Sequence, residues 1–251
     1  MPKPLTRTTR VIARVLITLA GVGFFLVLRP DAPDVVRADY RRWVASPRII
    51  SDYMKATKVR KLQLGAGGNN VPGWLNTDID VGSNQAYVDA AKPFPFSDGS
   101  INYVFSEHVI EHLTYEQGLG MLKECRRVLV PGGKMRIVTP NLLKFINLFQ
   151  QPKTEAMRTY IDGKLGWHSW PRTPEPETYI FNRELRDWGH QFVYTPTLLR
   201  ANLESVGFAD VRELLPGRSD DPALSNIEFR AGSNVTDVND YEAMALEAIR
   251  R

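Results

Sequence analysis

Cysteine is almost absent. Cys125 stands alone among 251 residues, with only four histidines: His108, His112, His168 and His190. One thiol cannot close an internal disulfide, and it leaves no cysteine cluster for a metal. Only His108 and His112 share a short spacing. Without acidic or cysteine neighbours at ligand spacing they predict no metal site. No internal repeat is present. What remains is 43% hydrophobic and 24% charged, an ordinary globular balance. It excludes a disordered tail, a collagen-like repeat and a disulfide-stapled miniprotein. The length fits one large α/β domain, or one domain with an appendage.

The net charge of +4 is unevenly spread. Residues 1–60 hold twelve basic and four acidic side chains, and the remainder holds twenty basic and twenty-four acidic. The basic excess surrounds a hydrophobic segment while the rest is mildly acidic. That pattern points to a membrane surface and away from nucleic acid.

The segment Val11–Leu28 is apolar apart from Arg14, Thr18 and its glycines. As helix it spans about 27 Å, close to the thickness of a hydrocarbon core. No small-x-small cleavage site follows, so an uncleaved anchor is expected over residues 1–30. Arg14, Thr18 and Gly21 share one helical face that can pack on another membrane helix. Expected partners are therefore membrane lipid and other membrane-protein subunits through residues 11–28. Basic residues on both sides leave the orientation unbiased. Residues 31–60 form a basic, partly helical connector, lying on headgroups or on the domain that follows.

From residue 61 to 251 the pattern is that of an α/β domain. Short apolar strands are predicted at Lys61–Gly65, Trp74–Asp78, Ala86–Asp89, Ile101–Phe105 and Lys134–Thr139. Thr114 and Gln117 form a capping box before a helix whose apolar face includes Cys125, and Pro131-Gly132-Gly133 ends it. Thr195-Pro196 opens a further helix that Gly207 closes. Strands at Asp210–Leu215 and Glu242–Ile249 complete seven. Strands separated by helices predict a doubly wound, mainly parallel sheet.

Ligands of such sheets bind at the carboxyl ends of the strands. Three features lie there. Gly65-Ala66-Gly67-Gly68 permits positive φ and close backbone approach. Asp78 ends the second strand, where it can accept both hydroxyls of a ribose, with Asp80 as the alternative. Asp89-Ala90 ends the third, placed for an adenine edge. The dinucleotide fingerprint GxGxxG fails at Asn70, and basic residues for a pyrophosphate are missing. The pattern fits a nucleoside without phosphates.

These residues, with Pro93-Phe94-Pro95-Phe96, Ser106 to Leu113 and Arg127 to Gly133, resemble class I S-adenosylmethionine-dependent methyltransferases over about residues 60–140. Asn182 to His190 looks like a subgroup of small bacterial members of unassigned substrate. The resemblance implies a Rossmann-like methyltransferase fold with S-adenosylmethionine as cofactor. It places Gly65, Ala66 and Gly67 at the methionine end, Asp78 at the ribose, Asp89 and Ala90 at the adenine, and Ser106 near the methyl group. Two departures stand out. Asn69 occupies the place of a third glycine, and Ala66–Gly73 is too short for the helix that usually joins strands one and two.

If the acceptor is a hydroxyl or amine, a general base helps. Candidates are Glu107, His108 and His190, with Asp187 beside them. Trp167, Trp170 and Trp188, among prolines, suggest either a lid or a packed loop. The expected function is a methyltransferase anchored in a bacterial inner membrane and facing the cytoplasm, acting on a small or membrane-proximal acceptor. The alternative is a non-catalytic accessory subunit of a membrane complex.

Overall fold

The computed structural model describes residues 39–228 and 241–251. The anchor expected over residues 1–30 lies outside them. Among the described residues no helix is long and apolar enough to cross a membrane.

A π-helical turn, Arg41–Ala45, runs into α1 (Ser46–Ala56). This part of the connector packs on the domain. Ile49, Ile50, Tyr53 and Met54 lie against the core. The Ser46 hydroxyl accepts from the Tyr87 amide at 2.7 Å, and the Arg42 guanidinium sits 4.0 Å over the Tyr87 ring.

The remaining elements are β1 (Lys61–Leu64), β2 (Leu75–Asp78), β3 (Ala86–Tyr87), β4 (Ile101–Glu107), α2 (Tyr115–Val128), β5 (Leu129–Pro140), α3 (Leu142–Asn147), α4 (Glu155–Trp167), α5 (Pro176–Arg186), α6 (Pro196–Ser205), β6 (Phe208–Leu214) and β7 (Ala243–Arg250). A short 3-10 turn, Ile110–His112, precedes α2. The seven strands order as β3-β2-β1-β4-β5-β7-β6. β7 runs antiparallel to both its neighbours, and the other pairs are parallel. The strand order reverses between β1 and β4, so the crevice at their carboxyl ends is the switch point of the sheet.

The local rules act as the sequence predicts at α2. The Thr114 side chain accepts from the Gln117 amide, and the Gln117 side chain returns the bond. Met121, Leu122, Cys125 and Val128 are buried on its core face. Burial pushes the Cys125 thiol well up, so it stays protonated as a small hydrophobe.

Several boundaries differ from expectation. Pro131-Gly132-Gly133 does not separate helix from strand. It lies inside β5, where the β4 register shifts between Ile101 and Tyr103. Gly132 has φ +76°, and a side chain on Gly133 would meet the Val130 carbonyl at 2.8 Å. The glycines thus make a bulge instead of a stop. The predicted third strand shrinks to two residues, because Asp89 turns back to accept from the Ala91 amide. Trp74 lies just outside β2, and β6 begins at Phe208 rather than Asp210.

Arg136 of β5 is fully buried. Its guanidinium meets Glu228 at 2.5 and 2.7 Å, Glu247 at 2.7 Å, and the carbonyl of Arg218 at 3.0 Å. It ties the loop after β6 to the centre of the sheet. Removing one partner of such a group strands the others in low dielectric, at a cost of roughly 3–5 kcal/mol. Arg136→Ala should lower the unfolding free energy by about that amount, read from the shift in urea midpoint. A change under about 1 kcal/mol would show that the group adds nothing to folding.

Candidate active site

The glycine turn after β1 has no helix behind it. Side-chain amides brace it instead. The Gln63 side chain donates to the Asn69 carbonyl at 2.9 Å and accepts from the Val71 amide at 3.2 Å. Asn76 accepts from the same Val71 amide at 2.9 Å. The Gln85 side chain donates to the Gly67 carbonyl at 2.8 Å and to the Asn70 side chain at 2.9 Å. Asn69, where a third glycine was expected, donates to the Ile227 carbonyl at 3.3 Å.

Asp78 closes this turn. One carboxylate oxygen accepts from the Gly67 amide at 2.8 Å and the other from the Asp80 amide at 2.8 Å. Asp80 itself is exposed. Asp89 accepts from the Ala91 amide at 3.0 Å and pairs with Lys92. Ala66 is buried, and its amide donates to the Thr77 carbonyl at 2.9 Å. Ala90 packs on the edge of the main core. Ser106 is buried on β4, opposite Leu64, with a hydroxyl that has no partner among the described residues. Open space faces Gly67 and Gly68, where an added Cβ would meet nothing within 4 Å. A spare buried hydroxyl beside an open glycine turn fits a polar nucleoside ligand.

The other half of the site begins where β4 ends. His108 has φ +52°, an uncommon backbone for a non-glycine residue and one that gathers at functional sites. Its Nδ1 lies 2.8 Å from Oε1 of Glu111, and the other Glu111 oxygen accepts from the Thr139 hydroxyl at 3.0 Å. Glu111 is fully buried. Burial drives its carboxyl upward, but the His108 hydrogen bond and charge outweigh it and hold the group below its ordinary value. The backbone carbonyl of Glu111 accepts from the amides of Gln191 and Phe192 at 2.7 and 3.1 Å. Segments about 80 residues apart in sequence are thereby held together.

Helices α4 and α5 form a small layer of their own over the end of β5, around Tyr160, Leu165 and Ile180. Thr154 caps α4 through the Met157 amide. Lys164 is buried between two acids, 2.9 Å from Glu184 and 2.7 Å from Glu242. The first contact is an ion pair off the hydrogen-bonding direction. Burial and the Glu242 charge push Glu184 above the ordinary carboxylate range. Tyr160 donates to Glu242 at 2.7 Å.

Between this layer and the ends of β4 and β5 lies a cavity of about 600 Å³. His108, His112, His168, His190, Trp167 and Trp188 line it, together with Lys164, Glu184, Glu242 and Pro140. The predicted base candidates separate here. His108 and His190 face the cavity, whereas Glu107 and Asp187 are not among its lining residues. Asp187 is held 2.6 Å from Arg183. The Nδ1 of His190 lies 2.6 Å from the Glu184 carbonyl, and burial keeps its pKa below the ordinary histidine value. Within the tryptophan-rich stretch, Trp167 ends α4 and Trp188 lies in the turn after α5, and both line the cavity.

Sequence reasoning assigned no role to Glu111, Thr139, Lys164, Glu184 or Glu242. Glu111 sits inside the 106–113 motif, beside His112, so a signal was present. Lys164 and Glu242 meet across 78 residues, and nothing local marks that pairing.

Residues 63–137 match the family described as methyltransferase domain. This match makes the chain a methyltransferase enzyme with S-adenosylmethionine as its cofactor. No curated protein matches the chain. Among solved structures it is similar to a SAM-dependent methyltransferase from Archaeoglobus fulgidus (20% identity, 82% of this chain and 92% of that one, TM-score 0.45). It is also similar to a possible histamine N-methyltransferase from Thermotoga maritima (14%, 85% and 95%, 0.43). A third is a Haloferax volcanii putative methyltransferase solved with its Trm112 activator (12%, 82% and 90%, 0.42).

The glycine turn offers a direct comparison. Gly65 has φ +63°, and an added Cβ would collide with Val109 Cγ2; Gly67 has φ +50° with open space. Gly67→Ala should cost about 1 kcal/mol of backbone strain, and Gly65→Ala about 2–4 kcal/mol because a clash adds to it. Denaturant midpoints of the two variants check the order, and equal losses would contradict it.

Proposed function

We propose that the chain transfers a methyl group to a small or membrane-proximal nucleophile bound in the cavity of His108 and His190. We assign Gly65, Ala66, Gly67, Asp78, Asp89, Ala90 and Ser106 to the cofactor. The observation that carries the reading is the chain His108–Glu111–Thr139, built on the buried Glu111 at the carboxyl ends of β4 and β5, one residue from the Val109 side chain that packs on Gly65.

S-adenosylmethionine supplies, when bound, a methyl group already activated on a sulfonium. The protein's task is then alignment, water exclusion and proton removal. Asp78 holds the glycine turn in shape through the Gly67 amide and offers its remaining lone pairs to ribose hydroxyls. The acceptor's hydroxyl or amine gives its proton to the outer nitrogen of His108. The Glu111 carboxylate fixes the opposite nitrogen as the N–H donor and balances the positive charge that develops on the ring. Thr139 holds the second carboxylate oxygen, so the dyad is oriented before the acceptor arrives.

The hydrophobic segment 11–28 supports anchoring to a bacterial inner membrane, with the domain on the cytoplasmic side where the cofactor is made. Residues 61–251 form the catalytic domain in this reading, with residues 31–60 as its connector. A membrane-protein partner for residues 11–28 belongs to the same proposal. The accessory-subunit alternative would need a domain that no longer takes its cofactor.

Calorimetric titration of S-adenosylmethionine into the full chain separates the two. Micromolar binding is expected, weakened at least about tenfold by Asp78→Ala. His108→Ala should leave cofactor binding intact and lower turnover about 10²- to 10⁴-fold once an acceptor is found. A folded chain that binds no cofactor would overturn the enzyme reading in favour of the accessory subunit.

A further inference from the structure

His108 and His112 are one helical turn apart in sequence, but the fold assembles a different group. Glu111, His112 and His190 each offer one ligand atom, and those three atoms lie within 4.8 Å of one another. The rings of His112 and His190 meet edge to face with centroids 4.9 Å apart. We infer that Glu111, His112 and His190 form a binding site for a divalent transition-metal ion of borderline softness, opening into the acceptor cavity.

Three observations carry this. First, the donor set is selective. Two imidazoles with one carboxylate suit Zn²⁺, Co²⁺ or Fe²⁺ and do not suit Mg²⁺ or Ca²⁺, which prefer oxygen throughout.

Second, the ligands are held from behind. A backbone carbonyl only accepts, so the 2.6 Å contact between His190 Nδ1 and the Glu184 carbonyl places the proton on Nδ1. The Nε2 lone pair is then available, the outer-shell arrangement that metal-ligating histidines commonly show. The Glu111 oxygens each accept one hydrogen bond, from His108 and Thr139, and each keeps a lone pair.

Third, the two ligand segments are stapled together. The Gln191 and Phe192 amides donate to the Glu111 carbonyl, and the Gln191 side chain donates to the His112 carbonyl at 2.6 Å. Before His190, Trp188 and Gly189 hold φ at +64° and +77°, a turn that sets the next residue back towards His112. Ligand atoms of a tetrahedral zinc site lie roughly 3.3 Å apart, so small side-chain rotations close the site without backbone change.

Three protein ligands leave a coordination position vacant. His112 and His190 both line the cavity, so that position faces the space where an acceptor oxygen or nitrogen would sit. The site stands apart from the methyl-transfer reading, because metal binding is measured without cofactor or acceptor.

The full chain, stripped with chelator, is titrated with Co²⁺ at about pH 7.5, where imidazole is mostly neutral, and followed by visible absorption. Zn²⁺ displacement and a Mg²⁺ control complete the set. We expect one equivalent bound at micromolar affinity or tighter, ligand-field bands that Zn²⁺ abolishes, and no competition from Mg²⁺. His112→Ala and His190→Ala should each weaken binding by at least about 100-fold, the upper end of what even outer-shell changes cost. His168→Ala, which alters the same cavity outside the ligand set, should bind as wild type. Circular dichroism and the thermal midpoint report folding, with His112→Gln and His190→Gln as gentler substitutes. No binding by the folded chain at about 1 mM Co²⁺, or undiminished binding in the folded double variant, would overturn the site.

Discussion

A carboxylate sealed from water must find partners, and Glu111 finds them on three elements at once. Its two oxygens meet His108 at the end of β4 and Thr139 near the end of β5. Its backbone carbonyl holds the amides of residues 191 and 192, which return from the α4–α5 layer. An isolated buried charge would be prohibitively expensive. The surroundings therefore have to converge on it, and their convergence is what walls the cavity. The left-handed backbone at His108 belongs to the same constraint: the ring can reach Glu111 three residues on only because the chain bends sharply there.

The glycine turn is organised differently. Where a helix would normally follow β1, this chain has eight residues and no room for one. The amides of Gln63, Asn76 and Gln85 take over the hydrogen bonds that helical turns would have made. Asp78 then closes the turn through the Gly67 amide. Asn69, where a third glycine was expected, is a strut to residue 227.

Local signals read well and long-range ones did not. The capping box at Thr114, the Thr195-Pro196 helix start, the apolar strands and the missing first helix were all legible, because each depends on neighbours within a few residues. The glycine turn and the acids after β2 and β3 were legible as a pattern of spacing. The bulge inside β5 was not, since proline and glycine punctuate turns and bulges alike, and only the register against β4 decides between them. Helices α4 and α5 escaped because their packing partners lie far away in sequence, as where Lys164 meets Glu242, 78 residues on. Glu111 lies within the Ser106–Leu113 run, but only its burial singles it out.

The Lys164 arrangement bears on how such a chain can change over generations. The lysine sits in α4, one of its acids in α5 and the other beside the first residue of β7, on the far side of the sheet's chain order. The two helices that roof the cavity are therefore not a detachable cassette. A homologous layer spliced in from elsewhere would bring its own lysine or lack one, and Glu242 would be left facing the wrong neighbour. The roof and the last strand would then be inherited as one unit, and the cavity beneath them would be reshaped through single substitutions along its wall.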